Sequence, residues 1–141
     1  MELDDALYEQ ILQLSEEGNR LMDDRRWERA AAVFQQALDL LPPPKNQWEA
    51  ATWLYGSLGD AYFQNRDFQN AREALLDALN CPDGITNPFL QLRLGETFFE
   101  LGDLERAREH LLRAYALEGK AIFQEEPAQY LDFLKKHVKL Y

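Results

Sequence analysis

The amino-acid sequence predicts an all-α fold: three helix-turn-helix repeats closed by a C-terminal capping helix. Three observations carry that expectation. One register of small and large residues occurs three times, and such self-similarity is the mark of a repeat architecture. Gly18 is followed by Leu21, Ala30, Phe34, Ala37 and Pro42, and the same offsets give Gly59, Tyr62, Ala71, Leu75 and Ala78, then Gly95, Phe98, Ala107, Leu111 and Ala114. Only the closing proline drifts, with Pro82 one place early in the second copy and Gly119 at that place in the third. Second, the turns DDRRW, NRDF and LGDL recur between the periodic stretches, placing Asp67 and Asp103 to cap the helices that follow. Third, 141 residues with 46% hydrophobic and 28% charged content suit an ordinary folded domain.

Taken in order, the first helices are expected at 3–23, 46–65 and 87–101, and the second helices at 27–41, 68–80 and 104–118. Each pair runs antiparallel, with close approach at the glycine of the first helix and the alanine of the second, and large residues filling the gap. A mid-helix glycine costs about 0.8–1 kcal/mol relative to alanine, so three at equivalent places call for a packing reason. Pro42, Pro43 and Pro44 form a stiff break, and Cys81 to Pro88 reads as an exposed turn through Asp83, Gly84, Asn87 and Pro88. Beyond Gly119 a short helix through Ile122 and Phe123 breaks at Pro127. A last helix then places Tyr130, Leu131, Leu134 and Val138 on one face to cap the stack. Residues 1–141 are expected to form a single unit, with repeats at about 11–44, 52–85 and 88–119 and a cap at 120–141.

Charge and cysteine usage narrow the function classes. The net charge is −10, and eight acids stand against one base between Met1 and Asp24. Such a field repels phosphate backbones and anionic lipid, so neither nucleic acid nor membrane is an expected partner. The longest apolar run, Ala30 to Phe34, falls far short of the roughly 20 residues of a membrane-spanning helix. The acidic opening MELDDALYEQ is unlike a secretory signal, and Cys81 has no second cysteine to pair with. A reducing, cytoplasmic location is the expectation.

The repeated residues resemble the tetratricopeptide repeat family, whose pattern of leucine-glycine, tyrosine, alanine, phenylalanine and proline spans two helices. The resemblance covers Ile11 to Gly119. It departs from the family where Leu14, Tyr55 and Gln91 hold the early tryptophan place and where Glu17 replaces the leucine before the first glycine. It implies a short right-handed superhelix whose concave groove is lined by the first helices and binds a protein partner. Carried over by offset from each glycine, the groove places are Leu12, Ser15, Asn19, Met22 and Asp23, then Trp53, Gly56, Asp60, Phe63 and Gln64, then Phe89, Leu92, Glu96, Phe99 and Glu100. Aromatic anchors and acids alternate there, which suits a basic or amphipathic partner. The alternative is that Phe63 and Phe99 belong to the inter-helix core and the acids to a solvated face. Of the family's clamp for chaperone-tail carboxylates, only Asn19 and Arg93 match, Ser15, Ser57 and Phe89 holding the other places.

A narrower likeness runs from Asn46 to Phe123. NQWEAATWLYGSLGDAYF, NPFLQLRLGETFFELGDLERA and AYALEGKAIF look like small bacterial tetratricopeptide proteins that serve as immunity proteins to polymorphic toxins. That resemblance implies tight binding of a cognate toxin domain. A generic adaptor or assembly factor is the alternative, as a monomer or a homodimer.

Catalysis is not expected. His110, among Arg108, Glu109 and Arg113, reads as an exposed helical residue, and His137 as a surface residue of the cap. Cys81 has no histidine near it in sequence, and no CxxC, HExxH, phosphate-binding loop or nucleophile elbow occurs. No cofactor or metal is implied.

Overall fold

The computed structural model describes residues 2–140, and among these every regular element is helical. The order is α1 (Asp5–Asp23), α2 (Trp27–Asp39), a 3-10 turn (Lys45–Gln47), α3 (Glu49–Gln64), α4 (Phe68–Leu79), α5 (Pro88–Glu100), α6 (Leu104–Glu118), a second 3-10 turn (Gly119–Phe123) and α7 (Ala128–His137). The helices pack as three successive pairs, α1 with α2, α3 with α4 and α5 with α6, each pair stacking on the next.

One turn geometry closes all three pairs. The N–H groups of Asp24, Asn65 and Leu101 donate to the carbonyls of Arg20, Ala61 and Thr97. Those of Arg25, Arg66 and Gly102 donate to Met22, Phe63 and Phe99, and those of Arg26, Asp67 and Asp103 reach back to Leu21, Tyr62 and Phe98. This is the Schellman arrangement, which needs one left-handed residue after the helix. Arg25, Arg66 and Gly102 occupy that place, with φ of 59°, 61° and 84°. Asp67 and Asp103 cap the next helices as expected, accepting from the N–H groups of Asn70 and Arg106 at 3.3 and 3.2 Å.

The glycines explain the register. A Cβ on Gly18 would lie 2.5 Å from the Phe34 ring, one on Gly59 2.6 Å from Leu75 Cγ, and one on Gly95 2.7 Å from Leu111 Cγ. The glycine therefore receives the large residue itself, the phenylalanine or leucine four places after the alanine. Phe34, Leu75 and Leu111 are fully buried, as are Ala30, Ala71 and Ala107. Van der Waals packing into a site with no side chain recovers the helix-propensity loss.

Several expectations need correction. The second first-helix starts at Glu49, not 46, because Trp48 is extended and its indole N–H donates to Pro42 O at 2.8 Å. The segment from Cys81 to Pro88 is exposed only in part. Ile85 is open, but Cys81 and Gly84 are buried and the Thr52 hydroxyl donates to Pro82 O at 2.8 Å. Burial, reinforced by Asp77, pushes the Cys81 thiol up, away from a reactive thiolate. His110 is buried, not exposed. Its ring stacks on Phe98 and its Nδ1 lies 2.7 Å from Gln91 Oε1, while the Gln91 amide donates to Ile85 O at 2.8 Å. Burial first, with Arg113 and Arg106 assisting against Glu109, lowers the His110 pKa. In α7, Tyr130 and Leu134 are buried as the pattern implies, joined by Phe133, while Leu131 and, one residue past the helix, Val138 are half-buried.

Candidate functional site

The first helices of the three pairs, α1, α3 and α5, carry all the groove residues, but they do not offer them equally. At the C-terminal end the face is partly covered by the chain itself. Arg93 on α5 is the hub: its guanidinium lies over the rings of Phe63 and Phe89, 4.9 and 5.0 Å from their centroids. Its Nη1 donates at 2.6 Å to both Glu96 Oε1 and Glu126 Oε1, and its Nε stands 3.0 Å from Asp60 Oδ1 as an ion pair without hydrogen-bond alignment. Phe99 meets Tyr130 and Phe133 edge-on, and the Tyr130 hydroxyl donates to Glu100 at 2.7 Å.

Five sequence-predicted groove residues, Asp60, Phe63, Phe89, Arg93 and Glu96, are thus gathered around one buried charge. Arg93 and Glu96 are corrections as partner-facing groups. Arg93 is 7% exposed and Glu96 not at all, because the segment before α7 lays Glu126 across them. Phe99 and Glu100 are half-buried against α7. Burial opposes the charge on Arg93, but Asp60, Glu96 and Glu126 more than offset it, so its pKa is raised and it stays a cation. Glu96 is pushed up to about 9, by burial first and then by its hydrogen bond to and repulsion from Glu126, against the pull of Arg93. A pKa of about 9 keeps Glu96 protonated at neutral pH. The cluster thus gathers the side chains of Asp60, Glu96 and Glu126 around one guanidinium.

The N-terminal half of the face is open. Asn19 and Asp23 are exposed and Trp53 is half-buried. Beside Trp53, between the first turns of α1 and α3 and the loop after α4, lies a cleft of about 530 Å³. Tyr8, Trp48 and Trp53 give it aromatic surface, and Glu2, Asp5 and Glu49 give it carboxylates. Of these, sequence reasoning singled out only Trp53. Tyr8 and Glu49 precede the groove register, and Trp48 sits in a linker whose path only the structure fixes. Among the described residues no three of His, Cys, Asp and Glu converge as metal ligands, and no helix is long and apolar enough to cross a membrane.

This geometry, stacked helix pairs with a glycine receiving a large residue in each, defines a helical-repeat binding scaffold. A tetratricopeptide repeat family model matches residues 15–88 and again 57–122, so the chain belongs to the tetratricopeptide repeat family. Among solved structures, the Arabidopsis OM64 TPR domain superposes with a TM-score of 0.75 at 20% identity, covering 94% of this chain and 99% of that one. The first TPR of Spaghetti (RPAP3), bound to the HSP90 peptide SRMEEVD, gives 0.71 at 20%, covering 91% and 90%. PcrH in complex with the chaperone-binding region of PopB gives 0.67 at 18%, covering 95% and 94%. These likenesses establish the fold, a short right-handed superhelix of three repeats with a C-terminal cap. A search of curated protein sequences gives no significant match.

Proposed function

We propose that this protein works by stoichiometric, non-catalytic binding of a basic or amphipathic segment of a partner protein along the face made by α1 and α3. The observation that carries this is the asymmetry of the face. Its α5 part is partly covered by Glu126, Tyr130 and Phe133 of the same chain, while Asn19 and Asp23 are exposed and Trp53 is half-buried. Charge supports the choice of partner, since eight acids against one base lie between Met1 and Asp24. So does precedent: a domain of this fold holds a chaperone peptide in RPAP3, and another holds a segment of PopB in PcrH. A carboxylate-tail ligand is disfavoured, because Arg93 already serves Asp60 and Glu126 and only Asn19 remains of that clamp.

Two kinds of partner fit. An adaptor or assembly role needs only the open acidic face. A toxin domain with a basic cleft is the narrower version, supported by the resemblance of residues 46–123 to immunity proteins and by electrostatic steering between opposite charges. The cytoplasm, where Cys81 stays reduced, suits both.

Tagged wild-type protein and a folded Asp23→Lys, Trp53→Ala variant are to be used side by side to capture partners from native lysate. A partner held at one-to-one stoichiometry by the wild type and lost from the variant is expected. Equal capture by both proteins would overturn the assignment of this face. A toxic activity in that partner, silenced by the wild-type protein, would select the toxin version over the adaptor.

A further inference from the structure

We infer that the cleft between α1 and α3 seats an arginine side chain of the partner, deepening the segment-binding reading on which it rests. Its walls combine the two features a guanidinium selects. The aromatic surfaces of Tyr8 and Trp53 offer stacking beside the buried Trp48, and Glu2, Asp5 and Glu49 offer acceptors at the rim. Among the described residues, none that lines the cleft is basic, and none of the three carboxylates has an ion-pair partner. The charge of the cleft is therefore uncompensated by its own walls. A volume of about 530 Å³ lies within the range of side-chain and small-ligand pockets, roughly 300–1,000 Å³.

The molecule already recognises one guanidinium in the same way. Arg93 lies over Phe63 and Phe89 and is ringed by Asp60, Glu96 and Glu126. The cleft repeats that combination of aromatic surface and carboxylates. Part of its wall is also set before a ligand arrives, because Trp48 is 7% exposed and its indole N–H is bonded to Pro42 O. A fixed indole costs little ordering on binding. Arginine is favoured over lysine because its planar, weakly hydrated head stacks and donates at once, whereas an ammonium holds its water more tightly.

The probes are two acetylated, amidated peptides, Gly-Arg-Gly-Arg-Gly and Gly-Lys-Gly-Lys-Gly, titrated into the full chain at about 150 mM salt. Proton–nitrogen NMR reads the indole resonances of Trp48 and Trp53. The arginine peptide is expected to shift the Trp53 indole and to bind roughly threefold or more tightly than the lysine peptide. Glu49→Gln is expected to weaken it by a similar factor. Glu118→Gln, which removes the same charge from the exposed end of α6, should leave it nearly unchanged. Equal affinity for the two peptides, equal losses in the two variants, or an unmoved Trp53 indole at saturation would each overturn the assignment. Any of these alongside loss of the native partner from the Asp23→Lys, Trp53→Ala variant would remove the arginine seat and leave the segment-binding face standing.

Discussion

Replacing Glu96 with glutamine should stabilise the protein, by an amount that grows with pH. Glu96 is fully buried beside Arg93 and Glu126, and its pKa is pushed from 4.5 up to about 9. A raised folded-state pKa gives stability that is complete below the unfolded value and is lost as pH rises through the folded value. Between about pH 5 and 9 the unfolded chain has released this proton and the folded chain has not, so each pH unit costs about 1.4 kcal/mol. Glutamine is neutral at every pH and nearly isosteric. Its carbonyl accepts from Arg93 as Glu96 Oε1 does now, and its amide faces Glu126. The comparison with wild type isolates the residue from His110, whose lowered pKa acts in the opposite sense at acid pH. Urea denaturation of both proteins at pH 5.5 and 7.5 is the assay. The stability difference should widen by about 2–3 kcal/mol across that interval. Parallel curves, within about 0.5 kcal/mol, would refute a protonated Glu96, since experimental error is smaller than the predicted effect.

Three further outcomes follow from the packing. Gly59→Ala should destabilise by about 1–3 kcal/mol despite alanine's better helix propensity, because its Cβ would meet Leu75 at 2.6 Å, and thermal melts of Gly59→Ala with and without Leu75→Ala should show coupling between the two sites. Arg66→Gly should raise stability by a few tenths to about 1 kcal/mol in the same melts, since it relieves a side chain held at φ 61° where the third repeat has Gly102. Glu126→Ala should speed amide hydrogen exchange through residues 128–137 far more than in α1 and α2, as it removes the ion pair tying the pre-α7 segment to Arg93.

The fold was legible because its repeat is enforced by local sterics. Gly18, Gly59 and Gly95 each face one large residue at a constant offset, and Asp67 and Asp103 cap through their immediate neighbours. Such causes lie within one helix pair and leave a periodic trace. The site was less legible because its causes are long-range. Arg93 on α5 is two places before a repeat glycine, where the other copies have Glu16 and Ser57, so no register marks it as a hub. Its burial depends on Glu126, thirty-three residues away along a segment that no repeat pattern describes. His110 looked exposed because Arg108, Glu109 and Arg113 surround it in sequence, yet the helical turn aims it inward at Gln91 and Phe98. The same limit hid Tyr8, Trp48 and Glu49, which meet only where two helix starts and a loop converge.

The central claim is that a partner segment lies on α1 and α3 while the chain's own C-terminal segment keeps the α5 face. Amide hydrogen exchange of the protein, free and saturated with its captured partner, tests it most directly. Protection gained in residues 5–23 and 48–64, with α5 unchanged, is the predicted result. Protection concentrated in residues 88–100 together with release of residues 124–137 would show the partner displacing the C-terminal segment, and would contradict the account.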